Sequence, residues 1–378
     1  MKYLLLFFFT ILFGFEDSPP EQRTRDREID VHHIKINATV DLLSETVYGY
    51  VIHTFSPLSS SLRMFELDAS DMNINRVRMK NKDISFNHIA DKLIISLNQP
   101  ISWNDTIAVK IDYIAYPKKG VYFLKPDEVY PNKPYQAWTQ GEDQDNHHWV
   151  PIYDYPNERS TFETILTVDQ KYKAVSNGEL VSTTLNDDDT HTWHWRENFP
   201  MVPYLISFVV GDYVKIEDKY KDIPINYWVY HNNKREANRS FGLTTDMMSF
   251  FEKETDMDYP YEKYDQIIID DFMFGGMENI TLTHNTDRTM YNEFASPDVN
   301  SEGLVAHELA HHWFGNMITT RNWAHAWLNE GFATYYSRKY FEYKFGYDEG
   351  EFIRYSEMGS YFYSDKMWKR ATVQHHFH

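Results

Sequence analysis

The sequence predicts an α+β protein of more than one domain, a mainly antiparallel β domain followed by an α/β domain. Three observations predict it. Residues 29–212 repeat a period-two alternation of apolar and polar side chains, the mark of strands with one covered face. Beyond residue 212 the period lengthens to that of amphipathic helices. The chain has 378 residues, room for about two domains of ordinary size and for a sizeable core.

Along the β domain, Ile34, Ile36, Ala38 and Val40 alternate with polar neighbours, as do Ile107, Val109, Ile111 and Tyr113, and then Thr164, Leu166 and Val168. Turn-forming residues, such as those at 186–190, separate the runs. In the second part, 213–378, Leu243, Met247, Phe250 and Phe251 fall at i, i+4, i+7 and i+8, one face of a helix. A strand is expected over 264–269, then helices over about 303–317 and 327–345, the latter closed by Gly346. Residues 1–15 carry one lysine and then an apolar run too short to span a bilayer, which reads as a signal peptide or short anchor. Residues 16–28 are polar, contain Pro19 and Pro20, and read as a linker. Export to the periplasm or the extracellular space is expected, with no stable membrane insertion unless the signal stays uncleaved. An anchored or a cytoplasmic protein is the alternative.

Composition narrows the function classes. Hydrophobic residues at 42% and charged residues at 25% suit a globular protein. Against 37 Lys and Arg stand 56 Asp and Glu, a formal charge of -19 that disfavours phosphate backbones and anionic membranes, so no nucleic-acid partner is expected. With no cysteine in the chain, disulfides and thiolate ligands are excluded and any metal must rest on His, Asp or Glu.

Such a set exists. His307 and His311 are four residues apart on an expected helix, which puts both imidazoles on one face where they can share an ion. Glu308, between them, is placed to act as general base. The bland reading is a pair of surface histidines, and Glu330 lowers its weight. This carboxylate lies 19 positions beyond His311, one helix further on, and completes a two-His, one-Glu set with an open fourth position, the catalytic arrangement for zinc. His312 points about 100° away around the helix and reads as a supporting or packing residue. His375, His376 and His378 read as a frayed end.

The strings HELAHHWFGN at 307–316 and WLNEGFA at 327–333 resemble the zinc signature of the M1 family of metallo-aminopeptidases. Two more strings carry the resemblance: Gly275, Gly276, Met277, Glu278 and Asn279 are similar to the family's Gly-x-Met-Glu-Asn strand, and Thr139, Gln140, Gly141 and Glu142 to its Thr-Gln-x-Glu pattern. It spans residues from about 30 to the end. By themselves Glu142 and Glu278 are two acids among 56, most of which are solvated. The resemblance implies that they grip the protonated α-amine of a peptide, that Gly275 to Asn279 lie along the substrate, and that His307, His311 and Glu330 hold one Zn2+ beside the base Glu308. It also implies a thermolysin-like α/β zinc-peptidase domain after the β domain, and peptide substrates with a free N-terminus.

Relatives of this kind use a tyrosine roughly sixty residues beyond the third ligand to stabilise the oxyanion. The chain ends 48 residues after Glu330, so the catalytic domain is expected to be incomplete at its C-terminus, with apolar helix faces left exposed. Tyr355, Tyr361 and Tyr363 lie too early for that role and read as packing residues. Two other functions stay open: a zinc endopeptidase, which has no use for an amine anchor, and a non-catalytic peptide-binding fragment.

Overall fold

The computed structural model describes residues 24–296 and 298–368; the expected signal at 1–15, most of the linker and the terminal histidines lie outside them. The described residues form four sheets and five α-helices. In the eight-stranded sheet the strand Ile29–Asp41 pairs antiparallel with Thr46–Pro57 and parallel with Ser160–Asp169. The alternation read from the sequence is a true inside-outside pattern. Ile34, Ile36, Ala38 and Val40 are buried, as are Ile107, Val109, Ile111, Tyr113, Leu166 and Val168. Each large aliphatic side chain so buried contributes about 1.5–3 kcal/mol.

The polar side of this sheet is also ordered. Glu163 accepts hydrogen bonds from Lys35 Nζ at 3.0 Å and from Arg196 Nη2 at 3.2 Å, with His194 Nε2 at 2.8 Å. Burial would raise this carboxyl, but the bonds from Lys35 and His194 outweigh it and bring it down to about 2. Because the folded value lies below the unfolded one, the stabilisation is present above about pH 4.3 and is lost as pH falls towards 2. Urea unfolding at pH 5 and pH 3 is expected to show a steeper loss for the native chain than for Glu163→Gln.

Gln136–Thr139, an interior strand of a four-stranded sheet, delivers Gln140 and Glu142 to the cleft. From Val214 onward the strands belong to a separate five-stranded sheet, in the order Val214–Tyr220, Ile223–Val229, Tyr264–Ile269, Leu282–Thr286 and Gly276–Met277. Tyr264–Ile269 is buried along its whole length, and its polar pair Asp265 and Gln266 is hydrogen-bonded to Trp228 Nε1 and Thr244 Oγ1. Gly276–Met277 is an edge strand, antiparallel to Leu282–Thr286.

The helices are α1 (Lys234–Phe241), α2 (Thr244–Thr255), α3 (Glu302–Ala310), α4 (Trp327–Phe345) and α5 (Tyr347–Trp368). Met247, Phe250 and Phe251 of α2 are buried, the latter two against Tyr340 of α4, so the helical spacing does mark a core face. Helix α3 ends seven residues earlier than the periodicity suggests. Beyond it the amides of Asn316, Met317 and Ile318 bond to carbonyls five residues back, and Gly315 turns at φ +140°. The apolar spacing of this segment therefore persists through a turn that is no longer α-helical. Tyr355, Tyr361 and Tyr363 lie on α5 outside the core: all three are exposed, beside exposed Phe352 and Phe362, with the Tyr361 ring 5.6 Å from that of Phe362. No helix among the described residues is long and apolar enough to cross a membrane.

Several buried hydrogen bonds tie the five-stranded sheet and α3 to the preceding strands. Asn177 Nδ2 donates to Ile280 O at 2.6 Å, Tyr213 Oη to Ile268 O at 2.8 Å, and Lys263 Nζ to Ser176 O at 2.9 Å. Arg159 Nη2 donates to Asn316 O at 2.8 Å and Met317 O at 3.0 Å, holding the turn after α3.

Candidate metal centre and peptide cleft

His307 and His311 sit one turn apart at the end of α3, with their Nε2 atoms 3.0 Å from each other. Glu330, in the first turn of α4, brings Oε2 to 3.3 Å from His307 Nε2 and Oε1 to 3.6 Å from His311 Nε2. Ligand atoms about 2.0–2.2 Å from a tetrahedral zinc ion lie about 3.3–3.6 Å apart. The two sides to Glu330 have that spacing, and the side between the histidines is about 0.3 Å shorter.

The protonation pattern agrees. His311 Nδ1 donates to Phe314 O at 3.0 Å, which leaves Nε2 with its lone pair directed at the other ligands. Two imidazole nitrogens and a carboxylate facing one another at this distance can share a cation. Gly315 makes the supporting turn possible, since a Cβ there would stand 2.7 Å from His311 Nδ1 in a backbone conformation that L side chains rarely adopt. The residues present therefore fit zinc. His312 is wholly buried instead: its ring stacks on Tyr259, its Nε2 accepts from Thr281 N at 3.2 Å, and it supports α3 from behind.

Around the triangle lies a cleft of about 450 Å3 lined by Gln140, Glu142, Asp143, residues 274–278, Leu304, His307, Glu308, His311 and Glu330. Of the residues expected to hold the metal, act as base or contact substrate, all but Asn279 line it. Asn279 is fully buried behind the edge strand, and its side-chain amide lacks a protein partner. Glu278 is 3% exposed, far from the solvated surface acid of the default reading, and its Oε1 has no hydrogen-bond partner. Burial, then the charge of Glu278, pushes the Glu142 carboxyl up to about 9. Burial, then Glu330, pushes Glu278 up to about 7. Glu308 is raised well above the ordinary range by burial and by Glu278, Glu330 and Glu142. Glu330 goes the other way, because the His307 and His311 imidazoles beside it outweigh burial and hold it far below the ordinary range. Four carboxylates crowded into one cleft call for positive charge inside it, and a dication with a ligand ammonium would supply that charge.

Gly276 brings the edge strand against the base. A Cβ at Gly276 would lie 2.2 Å from Glu308 Oε1, so only glycine lets backbone and carboxylate share this space. Gly276→Ala is expected to leave the fold intact, as judged by circular dichroism and Tm, yet to lower hydrolysis about a hundredfold or more by displacing Glu308.

Sequence reasoning did not assign roles to Gln140, Asn316, Tyr204 or Arg159. Gln140 Nε2 donates to Met277 Sδ at 3.2 Å, and Asn316 Nδ2 to Glu278 O at 2.8 Å. Gln140 and Asn316 lie inside the quoted strings, a signal that could have found them. Tyr204 and Arg159 have no such mark.

Comparison with known proteins agrees with this geometry. The model of the peptidase M1 N-terminal domain matches residues 30–205, and that of the peptidase family M1 domain matches residues 239–377. The chain belongs to peptidase family M1, a family of zinc metallopeptidases. Glutamyl aminopeptidase of Mus musculus is 34% identical over 205 residues, covering 53% of this chain and 22% of the relative. Leucine aminopeptidase 2 of Candida glabrata is 26% identical over 322 residues, covering 83% and 47%. The chain thus spans less than half the length of these relatives. The M1 zinc metallopeptidase of Deinococcus radiodurans superposes with a TM-score of 0.75 at 20% identity, over 88% of this chain and 74% of that one, so the fold is shared.

Proposed function

We propose that this chain carries the metal and substrate machinery of a metallo-aminopeptidase, hydrolysing the N-terminal residue from peptides. The observation that carries the reading is the meeting of two sets of groups in one cleft: the His307, His311 and Glu330 triangle, and the carboxylates of Glu142 and Glu278. His307, His311 and Glu330 would hold one Zn2+, which when bound supplies Lewis acidity to a carbonyl and lowers the pKa of water. Glu308 takes a proton from the attacking water and returns it to the leaving amine. Glu142 and Glu278 hold the α-ammonium by charge-assisted hydrogen bonds and close the cleft behind it. The edge strand at Gly276–Met277 offers free backbone groups along which a substrate can lie. Export, on the strength of residues 1–15, completes the proposal.

The test compares a peptide with its N-acetylated form, with and without a zinc chelator. Cleavage of the free-amine peptide alone, abolished by the chelator, supports the aminopeptidase. Equal cleavage of both forms would mean an endopeptidase, and zinc-independent binding without turnover a peptide-binding fragment.

A further inference from the structure

The helical turn Pro203–Leu205 places Tyr204 beneath the cleft, 1% exposed. Its hydroxyl accepts from Asn329 Nδ2 at 3.1 Å, and Asn329 directly precedes Glu330. The same hydroxyl donates towards Gly315 O at 3.4 Å, in the turn that orders His311. Asn329 also accepts from Thr320 N at 3.1 Å through Oδ1, which pins the start of α4. A donor 3.4 Å from a carbonyl makes a long bond, but a buried hydroxyl costs free energy unless its proton and lone pair are used, and here each has a partner. A phenylalanine would pack against Trp323 equally well, so packing alone does not explain the hydroxyl.

We propose that Tyr204 is a positioning residue for this site. Its one hydroxyl joins the two elements that carry the ligands: through Asn329 the start of α4 that bears Glu330, and through Gly315 O the turn that orders His311. The inference rests on the aminopeptidase reading above.

The experiment is a double-mutant cycle with Tyr204→Phe, Asn329→Ala and the two combined, reading zinc affinity by chelator competition and KM on a free-amine amino-acid anilide. Tyr204→Phe is expected to lower zinc affinity about tenfold, as for loss of a group that orients a ligand, and to lower it little further in the Asn329→Ala background, with KM nearly unchanged. Tyr204→His, which keeps a ring and a donor, is expected to recover part of the affinity, and it replaces the first variant if that one does not fold. An unchanged zinc affinity, or the same fall in both backgrounds, would overturn the proposal. If the unsubstituted protein neither binds zinc nor turns over substrate, the aminopeptidase reading itself fails and this inference falls with it.

Discussion

Glu308→Gln is expected to lower kcat by about 10²- to 10⁴-fold, the range for losing a general base, while zinc content and KM change little. The side chain is 4% exposed, sits on α3 between the two histidines, and has Gly276 against its Oε1. It is thus held in one place, facing the cleft, with a proton affinity raised by burial and by three neighbouring carboxylates. Glutamine keeps the shape and removes the ability to take a proton. Because Glu308 is outside the ligand triangle, metal analysis of the variant separates loss of the base from loss of the site.

The amine anchors give the second large effect. Glu278→Gln and Glu142→Gln are each expected to lower kcat/KM on free-amine substrates by about 10- to 150-fold, from the loss of a hydrogen bond to a charged group. Both variants share one ammonium, so the double substitution is expected to cost less than the product of the two. The stability change has the opposite sign. Each substitution removes a carboxyl that burial and its neighbours hold above its ordinary pKa, and such a group costs stability at neutral pH, so the Tm of chelator-treated protein rises. A fall in kcat/KM together with a rise in metal-free Tm is a combination that simple loss of packing does not produce.

Much of this site is legible in the chain because its parts are local. His307, Glu308 and His311 need only a helix, and Glu330 only the start of the next one, whose bounds at Trp327–Phe345 the apolar spacing and Gly346 already mark. The β alternation is likewise local, and Ile34 to Val40 can be placed on a covered face without knowing which strands neighbour them. What the sequence does not reveal is what lies far apart in it. The parallel pairing of Ile29–Asp41 with Ser160–Asp169, the hydrogen bonds of Arg159 to the turn after α3, and the position of Tyr204 under Asn329 depend on contacts more than a hundred residues long. The early end of α3 was hidden for another reason. Buried Trp313 continues the apolar helical spacing although α3 has already ended at Ala310. Burial of Glu278 was equally unreadable, since a glutamate in isolation is most often solvated.

The central claim is that His307, His311 and Glu330 together hold one zinc ion. Metal analysis of the purified protein beside Glu330→Ala and His311→Ala tests it most directly. About one zinc per chain in the native protein, with most of it lost in both variants after dialysis against a weak chelator, is the result the account predicts. A native chain that takes up no zinc, or variants that keep as much of it as the native chain, would contradict it.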